Sequence, residues 1–335
     1  MDKTKVCIMG IYIGKLPDCF SVWLKSCEKN STIDFVVISD QKIENHPKNV
    51  KIINMTLNQL KEKISKVVGF EVALQTPFKL CDYKPAYGYV FHELFDGYDY
   101  WGHCDFDLIF GDLRSFFSKY KMDKYDKFLP LGHLSLYRNT KENNMRFMED
   151  IPGFSNYKKI FTDDRNFLFD ELGIIKIYNK TSSKFFDKII FADIKPNIKR
   201  YTMCTNLKYY PNIYEEFNKR YKKVNFNKQV FIWDDNKIYQ YYIDCNRVQK
   251  REYIYIHIQK RKWCLKSEYS NRMVISNNEV FKAENTNIEK IIKKYNKYSL
   301  VVEKAEDLRN FIKHCWSYLK RKILKIEKEK IIVEK

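Results

Sequence analysis

Short apolar runs separated by amphipathic stretches dominate the first third of the chain. Val6 to Tyr12 is apolar and bounded by Gly14 and Pro17, which predicts a buried strand. Between residues 18 and 29, Phe20, Trp23, Leu24 and Cys27 recur at spacings of three and four, the mark of a helical face. Asp34 to Ser39 (DFVVIS) predicts a second strand, Lys51 to Asn54 a short third, and a helical segment follows to about Val68. Continuous apolar strands alternating with helices predict a parallel sheet covered on both faces. Residues 1–110 are therefore expected to form a nucleotide-binding half.

From about residue 127 the pattern changes. Phe128 to Tyr137 predicts a strand, Lys141 to Glu149 a helix, and Gln229 to Trp233, Ile238 to Ile243 and Tyr253 to Ile258 further strands. The run YIYIHI alternates strictly, placing Tyr253, Tyr255 and His257 on one face and isoleucines on the other. Residues 111–284 are expected to form a second half with a mixed sheet. Beyond 284 the chain turns helical. Leu308, Ile312, Cys315, Leu319, Ile323 and Ile326 recur at helical spacing, with Lys313, Lys320, Arg321, Lys322, Lys325 and Lys328 on the other faces. This tail (285–335) either lies on an anionic membrane surface or packs its apolar face on the domain.

Composition narrows the class. Hydrophobic residues make up 44% and aromatics 16%, so the chain folds. The net charge of +19 implies a polyanionic partner or surface: nucleic acid, anionic lipid or phosphate-bearing substrates. Nine cysteines are scattered without a CxxC pair, which leaves zinc ribbons and redox motifs unsupported and suits reduced thiols. With no long apolar run and no h-region after MDKTK, a cytoplasmic protein is expected. No P-loop, G-x-G-x-x-G or nucleic-acid motif is present, which makes nucleic acid the less favoured partner.

The richest chemistry lies in YDYWGHCDFDLIFGD, residues 98–112. Asp105 and Asp107 are two apart, so at a strand end both carboxylates can approach one cation, with Asp99 and Asp112 adding charge nearby. The alternative is a solvated strand end. His257 precedes Gln259-Lys260-Arg261-Lys262, which pairs a ligand for Mn²⁺ with cations able to hold a diphosphate. A surface histidine beside a solvated basic run is the alternative. Gly132-His133 follows a strand and can bring backbone close to a ligand. Asp170 and Glu171 follow Phe169 and can supply a general base, or else are helix-start acids. In KLCDYKPAYG, Asp82 precedes a predicted helix and Lys84 can reach a phosphate.

Taken in order, KLCDYKPAYG, YDYWGHCDFDLIFGD, GHLSLYRN, FDE and YIHIQKRKW resemble a bacterial family of capsule and surface-polysaccharide glycosyltransferases, long described only as a domain of unknown function. The resemblance covers residues 5 to about 265. It implies an α/β, GT-A-like fold: a Rossmann-type nucleotide-binding mixed sheet flanked by helices, with a C-terminal helical extension. It implies Asp105, Asp107 and His257 as ligands of Mn²⁺ or Mg²⁺. Donor contacts are expected from Tyr12, Asp82, Lys84, Asp105, His133, Lys260 and Arg261, and the base from Asp170 or Glu171, although F-D-E replaces the x-E-D of many inverting members. The implied donor is a UDP-hexose, galactose or glucose, and the acceptor a saccharide, lipid-linked at the inner face of the cell membrane. Inversion is preferred. The rival readings are another metal-dependent sugar-phosphate or nucleotidyl transferase and a nucleic-acid-binding protein.

Overall fold

The apolar runs of the first hundred residues become the parallel part of the main sheet. In the computed structural model β1 (Val6–Tyr12) lies between β2 (Asp34–Ser39) and β4 (Tyr100–Cys104), with β3 (Val50–Asn54) outside β2, all parallel. The structure describes residues 4–150, 153–194, 229–244, 246–258, 264–265, 270–275, 279–283 and 287–295, and single helical positions between 305 and 319. β1 is apolar on both sides because both faces are covered. On one face α1 (Phe20–Lys29) buries Phe20 and Trp23; on the other α2 (Leu57–Val68) buries Leu60 and Ile64. A reciprocal Thr56–Gln59 capping box starts α2 and left-handed Gly69 ends it.

The sheet then turns mixed. β7 (Leu134–Arg138) runs antiparallel to β4 and to β6 (Lys127–Phe128), and β8 (Phe185–Phe186) closes the order β3-β2-β1-β4-β7-β6-β8. Every residue of β4 has a partner in β7. Strands on either side of residue 110 thus share a hydrogen-bonded ladder within one sheet. The α/β class with a mixed sheet flanked by helices stands.

Two further sheets complete the described part. β10 (Gln229–Asp234), β11 (Lys237–Asp244), β12 (Arg247–Tyr253), β14 (Cys264–Leu265), β15 (Arg272–Ile275) and β16 (Glu279–Lys282) order as β12-β11-β10-β15-β16-β14. The helix Ile288–Tyr295 packs Ile291 and Ile292 against this sheet. A small sheet of β5 (Leu108–Phe110), β13 (Tyr255–His257) and β9 (Ala192–Asp193), ordered β5-β13-β9, joins three segments far apart in sequence. That small sheet positions the site.

Candidate metal and donor site

The chain leaves β4 at Cys104 and enters β5 at Leu108, so Asp105-Phe106-Asp107 crosses between two sheets. Phe106 is buried, its ring centroid 4.7 Å from Trp23, 5.2 Å from Phe20 and 5.8 Å from Tyr12. Turning that ring inward turns the two flanking carboxylates the other way. Gly10 permits it, since a Cβ there would lie 2.1 Å from Phe106 Cε1. The reason for the D-x-D pattern is thus local: an apolar anchor with an acid on each side.

β13 brings the imidazole. His257 faces Leu108 on β5 and Asp193 on β9. Its Nε2 lies 3.3 Å from Asp107 Oδ1 and its Nδ1 2.8 Å from Asp193 Oδ1. Backbone bonds lock this register: Ile258 N–H donates to Asp107 O and Ile194 N–H to His257 O, both at 2.9 Å. One ligand atom from each of Asp105, Asp107 and His257 falls within 4.8 Å of the others. Two hard oxygens and one borderline nitrogen form a donor set that fits Mn²⁺ or Mg²⁺. Burial works against charge on His257, but Asp107 and then Asp193 outweigh it and hold its pKa well above the ordinary histidine value.

His133 lies beside this group. Its ring centroid is 4.3 Å from that of His257, and its Nδ1 is 2.7 Å from Tyr255 Oη. Its buried Nε2 has no hydrogen-bond partner among the described residues. Burial, reinforced by His257 and Lys84, pushes its pKa well below the usual value, so this ring is neutral.

Lys84 links the metal group to the acids at 170–171. Its Nζ donates to Asp105 Oδ1 (2.7 Å), Asp170 Oδ2 (3.1 Å) and Gly132 O (3.0 Å). Burial disfavours its charge, but Asp105 and Asp170 reverse the balance, so it stays protonated. Burial raises Asp170 to about 7; Lys84 opposes the shift, while Glu171 and Asp105 add to it. Asp170 and Glu171 sit in a π-helical turn, Phe169–Gly173, entered through Leu168 at φ 53°. Such turns recur at functional sites. Both acids lie in the first turn of the helical segment that continues into the helix Ile174–Lys180.

The close approach of Asp170 depends on Gly132, where a Cβ would fall 2.2 Å from Asp170 Oδ2. Gly132→Ala is expected to destabilise the protein by about 1–3 kcal/mol through overpacking and to break the Lys84–Asp170 contact. Denaturant unfolding measures the first effect. Loss of the pH-dependent Asp170 signal in carboxyl-selective NMR measures the second.

Several expected site residues lie elsewhere. Asp82 is fully enclosed and does not reach the cleft: its carboxylate takes Lys79 Nζ at 2.8 Å and the backbone N–H groups of Phe167 and Phe169. It anchors the segment leading to Asp170 and is not a donor contact. Asp99 accepts from Lys5 N–H at the opposite end of β4, and Asp112 caps the helix Leu113–Lys119. Both are pinned by backbone donors, so neither joins the metal group. Lys260 and Arg261 lie outside the described residues. Tyr12 remains at the site, lining a cavity of about 300 Å³ with Ile11, Ile13, Phe78, Lys84 and Asp105. A larger hollow of about 730 Å³, lined by Tyr89, His92, Glu93 and Asn144, contains none of these groups. The smaller cavity is the one at the chemistry. Asp193 was not foreseen, because a two-residue strand carries no periodic signal.

Fold and site together define an α/β protein with a carboxylate–carboxylate–imidazole group at the carboxyl ends of its parallel strands, where such folds bind ligands. The chain belongs to a family of unknown function, DUF6625, whose profile matches residues 8–285. No curated protein matches it. Among solved structures, it is similar to the glycosyltransferase GlyE of Streptococcus pneumoniae TIGR4 in its apo form, at 12% identity and a TM-score of 0.29, over 55% of this chain and 46% of GlyE. The chain thus spans about half of that protein's length. Mouse xyloside xylosyltransferase 1 matches at 9% identity and a TM-score of 0.38, over 76% of this chain and 96% of that one. The galactosyltransferase LgtC, solved with donor and acceptor sugar analogues, matches at 12% identity and a TM-score of 0.32, over 57% and 76%. Superpositions this loose leave the function to be read from the chain's own residues.

Proposed function

We propose that the protein is a divalent-cation-dependent glycosyltransferase that moves a hexose from a UDP-sugar to a saccharide acceptor. The observation that carries this reading is the grouping of Asp105, Asp107 and His257 beside the Tyr12–Lys84 cavity, with the ammonium of Lys84 shared between Asp105 and Asp170. A cation bound by the three ligands would offset the charge that develops on the diphosphate as the glycosyl C–O bond breaks. Tyr12 lines the donor side, and neutral His133 packs against the ring of His257 behind the ligand group. Asp170, with its pKa near 7, takes the proton from the acceptor hydroxyl as that oxygen attacks the anomeric carbon, with inversion. Burial keeps the pKa of Asp170 high, and neighbouring Glu171 adds to the effect.

The direct test is thermal stability against a panel of nucleoside diphosphates and nucleotide sugars, with and without Mn²⁺. A donor at 100 times its Kd adds about 2.7 kcal/mol. A Mn²⁺-dependent shift for uridine compounds is the expected result. No shift with any nucleotide sinks the reading. Slow release of nucleoside diphosphate and free sugar without acceptor identifies glycosyl transfer; transfer of phosphorus would instead leave the sugar phosphorylated.

Lipid-linked acceptors, and with them a role in surface-polysaccharide synthesis at the inner face of the cell membrane, are proposed on the tail. Its described positions are helical, and Leu308, Phe311, Ile312, Trp316 and Leu319 are 47–65% exposed at spacings that place them on one face. The sequence intersperses Lys313, Lys320, Arg321 and Lys322. Among the described residues no helix is long and apolar enough to cross a membrane. With about 1 kcal/mol per basic residue near an anionic surface, deleting residues 305–335 is expected to weaken binding to phosphatidylserine vesicles at least tenfold (~1.4 kcal/mol or more). Unchanged vesicle co-sedimentation would refute this role.

A further inference from the structure

We infer that Asp193 is a positioning residue that holds Nδ1–H and the direction of the His257 ring, so that a cation displacing the Nε2 proton would meet that nitrogen together with Asp105 and Asp107. The inference rests on the cation-dependent reading above. It starts from two unequal distances. Two ligands of one cation, each about 2.1 Å from the ion, stand roughly 3.0–3.4 Å apart. Asp107 Oδ1 and His257 Nε2 are 3.3 Å apart, which matches two ligands of one ion. Asp193 Oδ1 and His257 Nδ1 are 2.8 Å apart, which is hydrogen-bond contact and too close for an ion between them. The two carboxylates on His257 therefore do different work, although His133, Asp193 and His257 also cluster closely enough to suggest a second cation site.

The backbone explains why the arrangement is rigid. β13 is the central strand of the small sheet, with His257 in register with Leu108 on β5 and with Asp193 on β9. Ile194 N–H donates to His257 O, so the strand carrying Asp193 is tied directly to the strand carrying the imidazole. Asp193 and His257 are both buried, which limits competition from water for the Nδ1–H donor. A carboxylate behind a ligating histidine sets which nitrogen carries the proton and raises the basicity of the other, and its loss typically lowers metal affinity about 10–100-fold.

The test reads cation binding and not turnover. Free Mn²⁺ is followed by electron paramagnetic resonance as it is titrated with the full-length protein, without nucleotide. Asp193→Ala is expected to weaken Mn²⁺ binding about 10–100-fold, and His257→Ala at least as much. Asp193→Asn, whose amide oxygen still accepts from Nδ1–H, should recover part of the loss. Melting midpoints without metal separate this from a merely structural role. A variant that melts earlier but binds Mn²⁺ like the wild type overturns the inference, as does an Asn variant no better than Ala. Two Mn²⁺ per chain, with one lost in Asp193→Ala, would make Asp193 a ligand instead. If Asp193→Ala does not fold, the Asn variant against wild type decides. A wild type that binds no Mn²⁺ removes the cation reading itself, whereas His257-dependent binding indifferent to Asp193 removes only this inference.

Discussion

Asp107→Ala should abolish the Mn²⁺-dependent stabilisation by donor and lower turnover about 100- to 1,000-fold, the usual cost of removing one group that stabilises developing charge. Asp107 is held at both ends. Its carbonyl accepts from Ile258 N–H, and its carboxylate lies 3.3 Å from His257 Nε2. Removing the side chain leaves Asp105 and His257 as a two-ligand remnant, with Asp105 partly committed to Lys84. Phe106 stays anchored in its aromatic pocket, so the crossing segment should keep its path. The metal-free protein should therefore melt close to the wild type while its Mn²⁺ titration goes flat. A variant that still shows donor stabilisation dependent on Mn²⁺ would remove Asp107 from the ligand set.

Lys84→Met should produce the second large effect. It leaves Asp170 buried and facing Asp105 without the cation between them. Breaking a buried pair from one side typically costs about 3–5 kcal/mol. Here protonation of Asp170 relieves part of the cost, so the effect depends on pH. A carboxyl whose folded pKa, about 7, exceeds its ordinary 3.8 is protonated in the folded chain while the unfolded chain has already ionised. Stability is then lost as pH rises through that interval. Lys84 lowers the pKa of Asp170, so its removal extends the loss to higher pH. The variant should be less destabilised at pH 5 than at pH 8. Any remaining turnover should rise with pH at a more alkaline point than in the wild type. Urea unfolding at the two pH values and a pH–rate profile check both signs; equal destabilisation at pH 5 and 8 would refute the coupling.

Much of the fold was legible because β1, β2 and α1 announce themselves by period and by continuous apolar runs. D-x-D and His257 were legible as chemistry for a related reason: an acid on each side of a buried aromatic, and a histidine in an alternating strand, are local patterns. Asp82 misled because a carboxylate before a helix looks the same whether it faces a cleft or braces a loop. Only the positions of Lys79, Phe167 and Phe169 reveal the second. The sharing of Lys84 between Asp105 and Asp170 leaves no trace in the sequence, since the two acids come from segments that no spacing rule connects. Asp193 had no signal at all, and the continuity of the main sheet past residue 110 was hidden because β7 reverses direction relative to its neighbours.

The small β5-β13-β9 sheet also sets a temporal order for the molecule. A chain emerging from the ribosome presents Asp105 and Asp107 early, and its N-terminal part can begin to fold. The imidazole arrives only with β13, after the strand that carries Asp193. A fragment ending before Tyr255 would hold only two of the three proposed ligands, Asp105 and Asp107. Once β13 docks, a bound cation would act as a staple across segments that the chain otherwise brings together at high loop-closure cost. The proposed cation site is thus completed only once β13 has been made and has docked, well after its two carboxylates.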